Sequence, residues 1–294
     1  MGVKNSSATR VWPVFLSLIQ RDPSGTAWLP TILESAASEG SAYAAELSRL
    51  REPIEQSLTT ILKVPRRIPY LNVPGFLPKC FEYRATAPER FLLWLLDNAG
   101  TKALPRPENR RLSAGREALF AGSADAKCEA RTQLLTKGGE PGHGRWWVLE
   151  GETSIDCFLE TRSVVLVIEG KRTDDLSKRT DWFPKRHQLV RNLEVAQTLA
   201  RGKRYAALVI YEGKPGVPAG PGRDLDDLLK EGAPHLSESE RHFLGEHYLG
   251  RLTWKDVCDA TKLRLNLERD FNDNEHVRKW FDEKGYVSRQ SSPL

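Results

Sequence analysis

Residues 154–171 read SIDCFLETRSVVLVIEGK. Two runs rich in strand-forming residues, SIDCFLE and SVVLVIEGK, flank the turn-prone pair Thr161-Arg162. A hairpin turning at that pair sets Glu160 against Ser163 and Asp156 against Val167. Side chains alternate along a strand, so Val167, Glu169 and Lys171 share one face. Asp156 then lies diagonally from Glu169 on that face, with Cβ atoms roughly 7 Å apart. Two acids and a lysine at the rim of an apolar sheet are costly to place there. This end of the sheet is therefore the place to look for chemistry.

Working outward, RWWVLEGET reads as a strand before the hairpin. KRHQLVRNLEVAQTLARG follows it as a helix stopped at Gly202, and YAALVIYEG is a further strand. A strand, a helix of about 17 residues and a second strand make a βαβ unit with parallel strands and a right-handed crossover. Upstream, Ser113 is placed to cap a helix through GREALFAGSADAKCEARTQLL, with Gly115 and Gly122 against it. The order from 113 to 212 is helix, three strands, helix, strand. The predicted fold class is α/β: a mixed central sheet flanked by helices, with an αβββαβ core. Residues 10–62 and a segment opened by Pro88 carry helical spacing, separated by the Pro-rich stretch at 64–78. After the Gly/Pro loop GKPGVPAGPGRD the chain is again mainly helical. The predicted divisions are a helical region at 1–105, the α/β core at 106–230 and a helical region at 231–294.

An acid two residues before a lysine occurs four times, at Asp125/Lys127, Glu169/Lys171, Glu212/Lys214 and Asp282/Lys284. The triplet alone therefore decides little. Glu212 also follows an apolar strand, but a helix precedes that strand. Only Glu169 combines an apolar strand, a lysine and an upstream Asp-bearing strand. Two carboxylates and a backbone carbonyl, here that of Gly170, are hard oxygen ligands suited to Mg²⁺ or Mn²⁺. Such a metal polarises a phosphoryl oxygen and lowers the pKa of bound water. Lys171 is placed to orient that water or offset developing charge. Burial lowers its pKa and the carboxylates raise it. Gly170 lets backbone approach a ligand closely.

These residues and this element order resemble the PD-(D/E)XK nuclease superfamily, the restriction-endonuclease-like fold, over about 100 residues. Asp156 matches its lone Asp, preceded here by Ile rather than Pro. Glu169-Gly170-Lys171 matches its (D/E)xK. The resemblance implies that Asp156 and Glu169 bind the metal and that Lys171 assists the attacking water. Gln188 and Arg191 match the spacing of a Gln and an Arg that several members carry on the next helix. Glu117 is a candidate for a first-helix Glu. The implied activity is metal-dependent hydrolysis of nucleic acid, with DNA the expected substrate, in restriction, repair or defence.

Charge fits such a partner without requiring one: the net charge is +5 and the pI about 9.0. The doublets Lys171-Arg172, Lys178-Arg179 and Lys185-Arg186, with Arg191, are candidate phosphate contacts. They fit a solvated loop equally well. Trp182 and Phe183 between them could stack on bases, though such aromatics more often anchor a loop. The stretch SESERHFLGEHYLGRLTWKDVCDATKL has helix-turn-helix flavour, with YLGRLT as the turn and Thr253 as a cap. His242, His247, Cys258 and His276 do not have a zinc spacing.

Hydrophobic residues make up 39% of the 294, enough for a core, and no apolar stretch approaches the roughly 20 residues that span a bilayer. The four cysteines, at 80, 128, 157 and 258, form no CxxC pair and read as thiols of a reducing cytoplasm. GxxxxGK[ST], HExxH and GxSxG are absent, against a P-loop NTPase, a zincin or an ordinary serine hydrolase. The readings set beside the nuclease are an inactive nucleic-acid-binding or scaffold protein of the same fold, and a helix-turn-helix regulator. A homodimer or a partner protein is compatible with all three.

Overall fold

The computed structural model describes residues 7–55 and 83–271, apart from 109, 173, 214 and 215, together with 276, 279, 280 and 283. The Pro-rich stretch at 64–78, Cys80, Lys214 and most of the last expected helix lie outside these residues. In chain order the elements begin with α1 (Trp12–Arg21), α2 (Leu29–Ser38), α3 (Ala42–Ser48), β1 (Tyr83–Ala85), α4 (Glu89–Asn98), α5 (Ala114–Phe120) and α6 (Ala124–Lys137). Next come β2 (Thr153–Ile155), β3 (Cys157–Glu160), β4 (Val164–Gly170), α7 (Gln188–Ala200) and β5 (Arg204–Tyr211). The chain continues through α8 (Arg223–Gly232), α9 (Glu238–Glu246), β6 (Tyr248–Thr253), α10 (Trp254–Thr261) and α11 (Leu267–Asp270).

The protein is mixed α/β. Its main sheet has the order β3-β4-β5-β6: β3 is antiparallel to β4, while β4, β5 and β6 run parallel. The β4-α7-β5 crossover is the expected βαβ unit. The hairpin register differs from expectation. Phe158 pairs with Val167 and Glu160 with Val165, so the turn spans 161–164 rather than two residues. This is a shift of two, and a shift of two preserves which residues share a face. Continued by one residue, the register sets Asp156 opposite Glu169 rather than diagonal to it.

SIDCFLE is also not one strand. It bends at Asp156, and β2 leaves the main sheet to pair with β1. Residues 145–152 form no strand. Trp147, Val148 and Leu149 are buried instead against α4, α5 and α6, with Phe91, Leu119 and Ala130. An apolar run is satisfied equally by helices or by a sheet. The helix expected from Ser113 breaks at Gly122, where φ is +84°, and Ser123 caps α6 through the Ala126 amide.

The sheet separates two cores. One face, with Cys157, Leu166, Ile168 and Leu208, packs on α1–α3 and α10. The other, with Phe158, Val165, Val167 and Val209, packs on α7, α8 and α9. The regions before 105 and beyond 230 thus both help to cover one sheet, α1–α3 and α10 on one face and α9 on the other. β6, from the region beyond 230, is one of its strands. That strand removes the helix-turn-helix: α9 and α10 are joined not by a tight turn but by Tyr248–Thr253, hydrogen-bonded to β5. Thr253 does cap α10, in a capping box with Asp256.

Candidate active site

β4 ends at a point where three elements meet. Glu169 and Lys171 lie on its α7 side, and Asp156 is at the bend before β3. The Asp156 Oδ2 accepts the Gly170 amide at 3.0 Å. In an unbroken strand a backbone carbonyl would take that amide, so the bend and the carboxylate's position have one cause. N–H and C=O of a strand residue point to the same edge, so the Gly170 carbonyl also faces Asp156. A Cβ on Gly170 would lie 2.2 Å from Val11 Cγ2 and 2.9 Å from Trp254 Cζ2. Close packing of the helical cover therefore already requires this glycine. Trp254 further donates its indole N–H to the Lys171 carbonyl at 2.8 Å.

Glu169 is 1% exposed and fully held. Its Oε1 receives Gln188 Nε2 at 2.6 Å and Lys171 Nζ at 2.8 Å; its Oε2 receives Asn192 Nδ2 at 2.9 Å. Gln188 and Asn192 are one helical turn apart on α7, so both reach the same carboxylate. Gln188 also accepts the Ser177 amide at 3.1 Å, tying the loop after β4 to the site. Burial pulls the Lys171 ammonium down, but Glu169 and then Asp156 outweigh it, and it sits above an ordinary lysine. Lys171 is therefore a cation at neutral pH.

Among the described residues no group of three or more His, Cys, Asp or Glu side chains is arranged to hold a metal ion. Asp156 and Glu169 supply two carboxylates, and the Gly170 carbonyl a third oxygen on the edge that faces Asp156. That set fits Mg²⁺ or Mn²⁺, which commonly bind through one or two carboxylates and keep several waters. It does not resemble a soft-metal or structural zinc site.

The other expected residues divide. Gln188 joins the site. Arg191 is half-buried one turn into α7, and its Nε has no hydrogen-bond partner among the described residues. Burial first, and then Arg186, hold its pKa below the ordinary arginine value. Lys178 and Arg179 are exposed on the loop, and Lys185, also exposed, pairs with Glu231 at 3.0 Å. Arg186 is not a phosphate contact. It is 0% exposed, pairs with Glu150 at 3.2 Å and Glu194 at 2.5 Å, and lies 3.6 Å over the Phe91 ring. Arg172 is buried too. Glu117 stands apart in an ion pair with Arg106 at 2.8 Å. The rival Glu212 pairs with buried Arg10 at 2.5 Å. Trp182 and Phe183 are buried in the helical core, with Trp182 stacked on Phe120, so they anchor the loop.

Sequence reasoning missed Asn192. A lone Asn among Leu189, Val190, Leu193 and Ala196 breaks the apolar face of α7, and that break was the available signal. It also missed the cluster of Arg186 with Glu150 and Glu194. No family model matches the chain, and comparison with characterised proteins and with solved structures finds no significant match.

Proposed function

We propose that this chain is a metal-dependent phosphodiesterase acting on nucleic acid, DNA first among the candidates, built on a PD-(D/E)XK, restriction-endonuclease-like core. One observation carries the reading. Asp156, Glu169 and Lys171 converge at the end of β4, on the sheet face covered by α7, and Gln188 reaches Glu169 from that helix.

Asp156 and Glu169 would hold Mg²⁺ or Mn²⁺ together with the Gly170 carbonyl. When bound, the cation supplies Lewis-acid polarisation of a phosphoryl oxygen and a more acidic water. Lys171, protonated beside Glu169, offsets negative charge developing on the phosphate. Gln188 holds Glu169 and the loop together. Lys178, Arg179 and Arg191 would offer positive charge to the nucleic-acid backbone. A role in restriction, repair or defence would follow from the substrate, as would any need for a dimer or a partner protein. A cytoplasmic location belongs to the same proposal and is supported by the free thiols Cys128, Cys157 and Cys258; no described helix is long and apolar enough to cross a membrane.

The test is a substrate panel of linear duplex, circular duplex and single-stranded DNA, and RNA, each with Mg²⁺, Mn²⁺ or EDTA. The reading expects cleavage of at least one substrate that EDTA abolishes. Cleavage indifferent to EDTA would refute the metal. Binding without cleavage under every condition would mark a binding protein.

A further inference from the structure

We propose that Asn192 is a positioning residue of this site, setting the Glu169 carboxylate for metal binding; the inference rests on the hydrolase reading above. Asn192 is 1% exposed and sits in the second turn of α7. Its helical neighbours Leu189, Val190, Leu193 and Ala196 fill the core under the sheet. A buried amide in their midst has a desolvation cost and lowers helix propensity, so packing alone does not account for it. Among the described residues its side-chain hydrogen bond runs from Nδ2 to Glu169 Oε2 at 2.9 Å. A carboxylate only accepts, so the amide must present its NH₂ to Glu169, and the orientation is fixed by chemistry. Asn192 Oδ1 is buried without a hydrogen-bond partner among the described residues, so the residue satisfies Glu169 rather than itself.

The division of labour with Gln188 sharpens the point. Gln188 grips Glu169 Oε1, but its own carbonyl accepts the Ser177 amide, and its backbone amide donates to the Ser177 carbonyl at 2.7 Å. Its placement therefore depends on how the loop after β4 docks. Asn192 is rooted in the packed helix alone. It holds Oε2 in one place whatever the loop does, leaving Oε1, shared with Lys171, as the oxygen whose contacts can change.

The experiment is calorimetric titration of Mn²⁺ into the full chain as wild type, Asn192→Leu, Asn192→Ala and Asp156→Ala. Unfolding midpoints in EDTA are measured for each. Loss of an outer partner of a metal ligand weakens affinity by about 10- to 100-fold. That weakening is expected in a folded Asn192 variant, with kcat falling more than KM rises. Wild-type affinity in a folded Asn192 variant, with Asp156→Ala impaired, overturns the inference alone. Affinity lost only in proportion to lost folded protein, in both Asn192 variants, overturns it as well. Absence of Mn²⁺ binding by the wild type removes the hydrolase reading and the inference with it.

Discussion

Replacing Arg186 by Leu should cripple the fold and leave the proposed phosphate-contacting residues Lys178, Arg179 and Arg191 alone. The guanidinium is fully buried, with Nε 3.2 Å from both Glu150 oxygens, Nη1 donating to the Gly232 carbonyl at 3.0 Å and Nη2 2.5 Å from Glu194. Burial pushes Glu194 up, but Arg186 and then His235 overcome it and hold it below an ordinary glutamate. At Glu150 burial wins over Arg186, and the carboxyl sits above its ordinary value. Without Arg186 two buried carboxylates face each other with no guanidinium between them. Removing one partner of a buried ion pair costs about 3–5 kcal/mol, a large part of the roughly 5–15 kcal/mol that holds a domain folded. With an m-value of about 3 kcal/mol/M, the urea midpoint at pH 7.5 falls by roughly 1–1.7 M. The pH dependence has a definite sign. In Arg186→Leu both carboxyls have folded pKa values raised above the unfolded ones, so the variant loses stability as pH rises past about 4.5. Its deficit against wild type should therefore shrink at pH 5. Adding Glu150→Gln and Glu194→Gln should recover part of the loss. Circular dichroism in urea at both pH values reads all of this. An unchanged midpoint together with weakened DNA binding would refute the burial argument and return Arg186 to the phosphate contacts.

Further outcomes follow from the same geometry. His187 caps α7 by accepting the Leu189 amide on Nδ1, and burial, then Arg191 and Lys178, depress its pKa to about 4. The unfolded histidine protonates near 6.5, so this contribution is complete above pH 6.5 and is lost as pH falls from there toward 4. At most ~3 kcal/mol is involved; an NMR titration that puts the imidazole near 6.5 in the folded protein would contradict it. Gly170→Ala forces a methyl to 2.2 Å from Val11 Cγ2 and should cost about 1–3 kcal/mol by overpacking, read as a lower thermal midpoint. An unchanged midpoint would show that Val11 and Trp254 give way.

Much of the site was legible because it depends on parity. The register was misjudged by two residues, yet Asp156, Glu169 and Lys171 still share a face, since only an odd slip would part them. The βαβ unit was legible because Leu189, Leu193 and Ala196 repeat at helical spacing between two apolar strands. Other features lacked a local signal. Residues 147–149 look like a strand, but helices bury them. β6 contains Gly250 and Arg251 and follows a helix, so it reads as a turn until β5 is there to pair with it. Arg186 looks like half of a surface doublet because its acidic partners, Glu150 and Glu194, lie on other segments. Asn192, by contrast, did leave a local signal, the polar break in the apolar face of α7, but the group it serves is identified only once Glu169 stands beside it.

The central claim is that Asp156, Glu169 and Lys171 form one hydrolytic site. Its most direct test is the single-turnover cleavage rate of wild type, Asp156→Ala and Lys171→Ala on the best substrate of the panel, with saturating Mg²⁺ or Mn²⁺. Each variant should lose at least about 100-fold in rate, the scale of removing one group that stabilises transition-state charge, while remaining folded. Cleavage at the wild-type rate in both variants would place the chemistry elsewhere on the molecule.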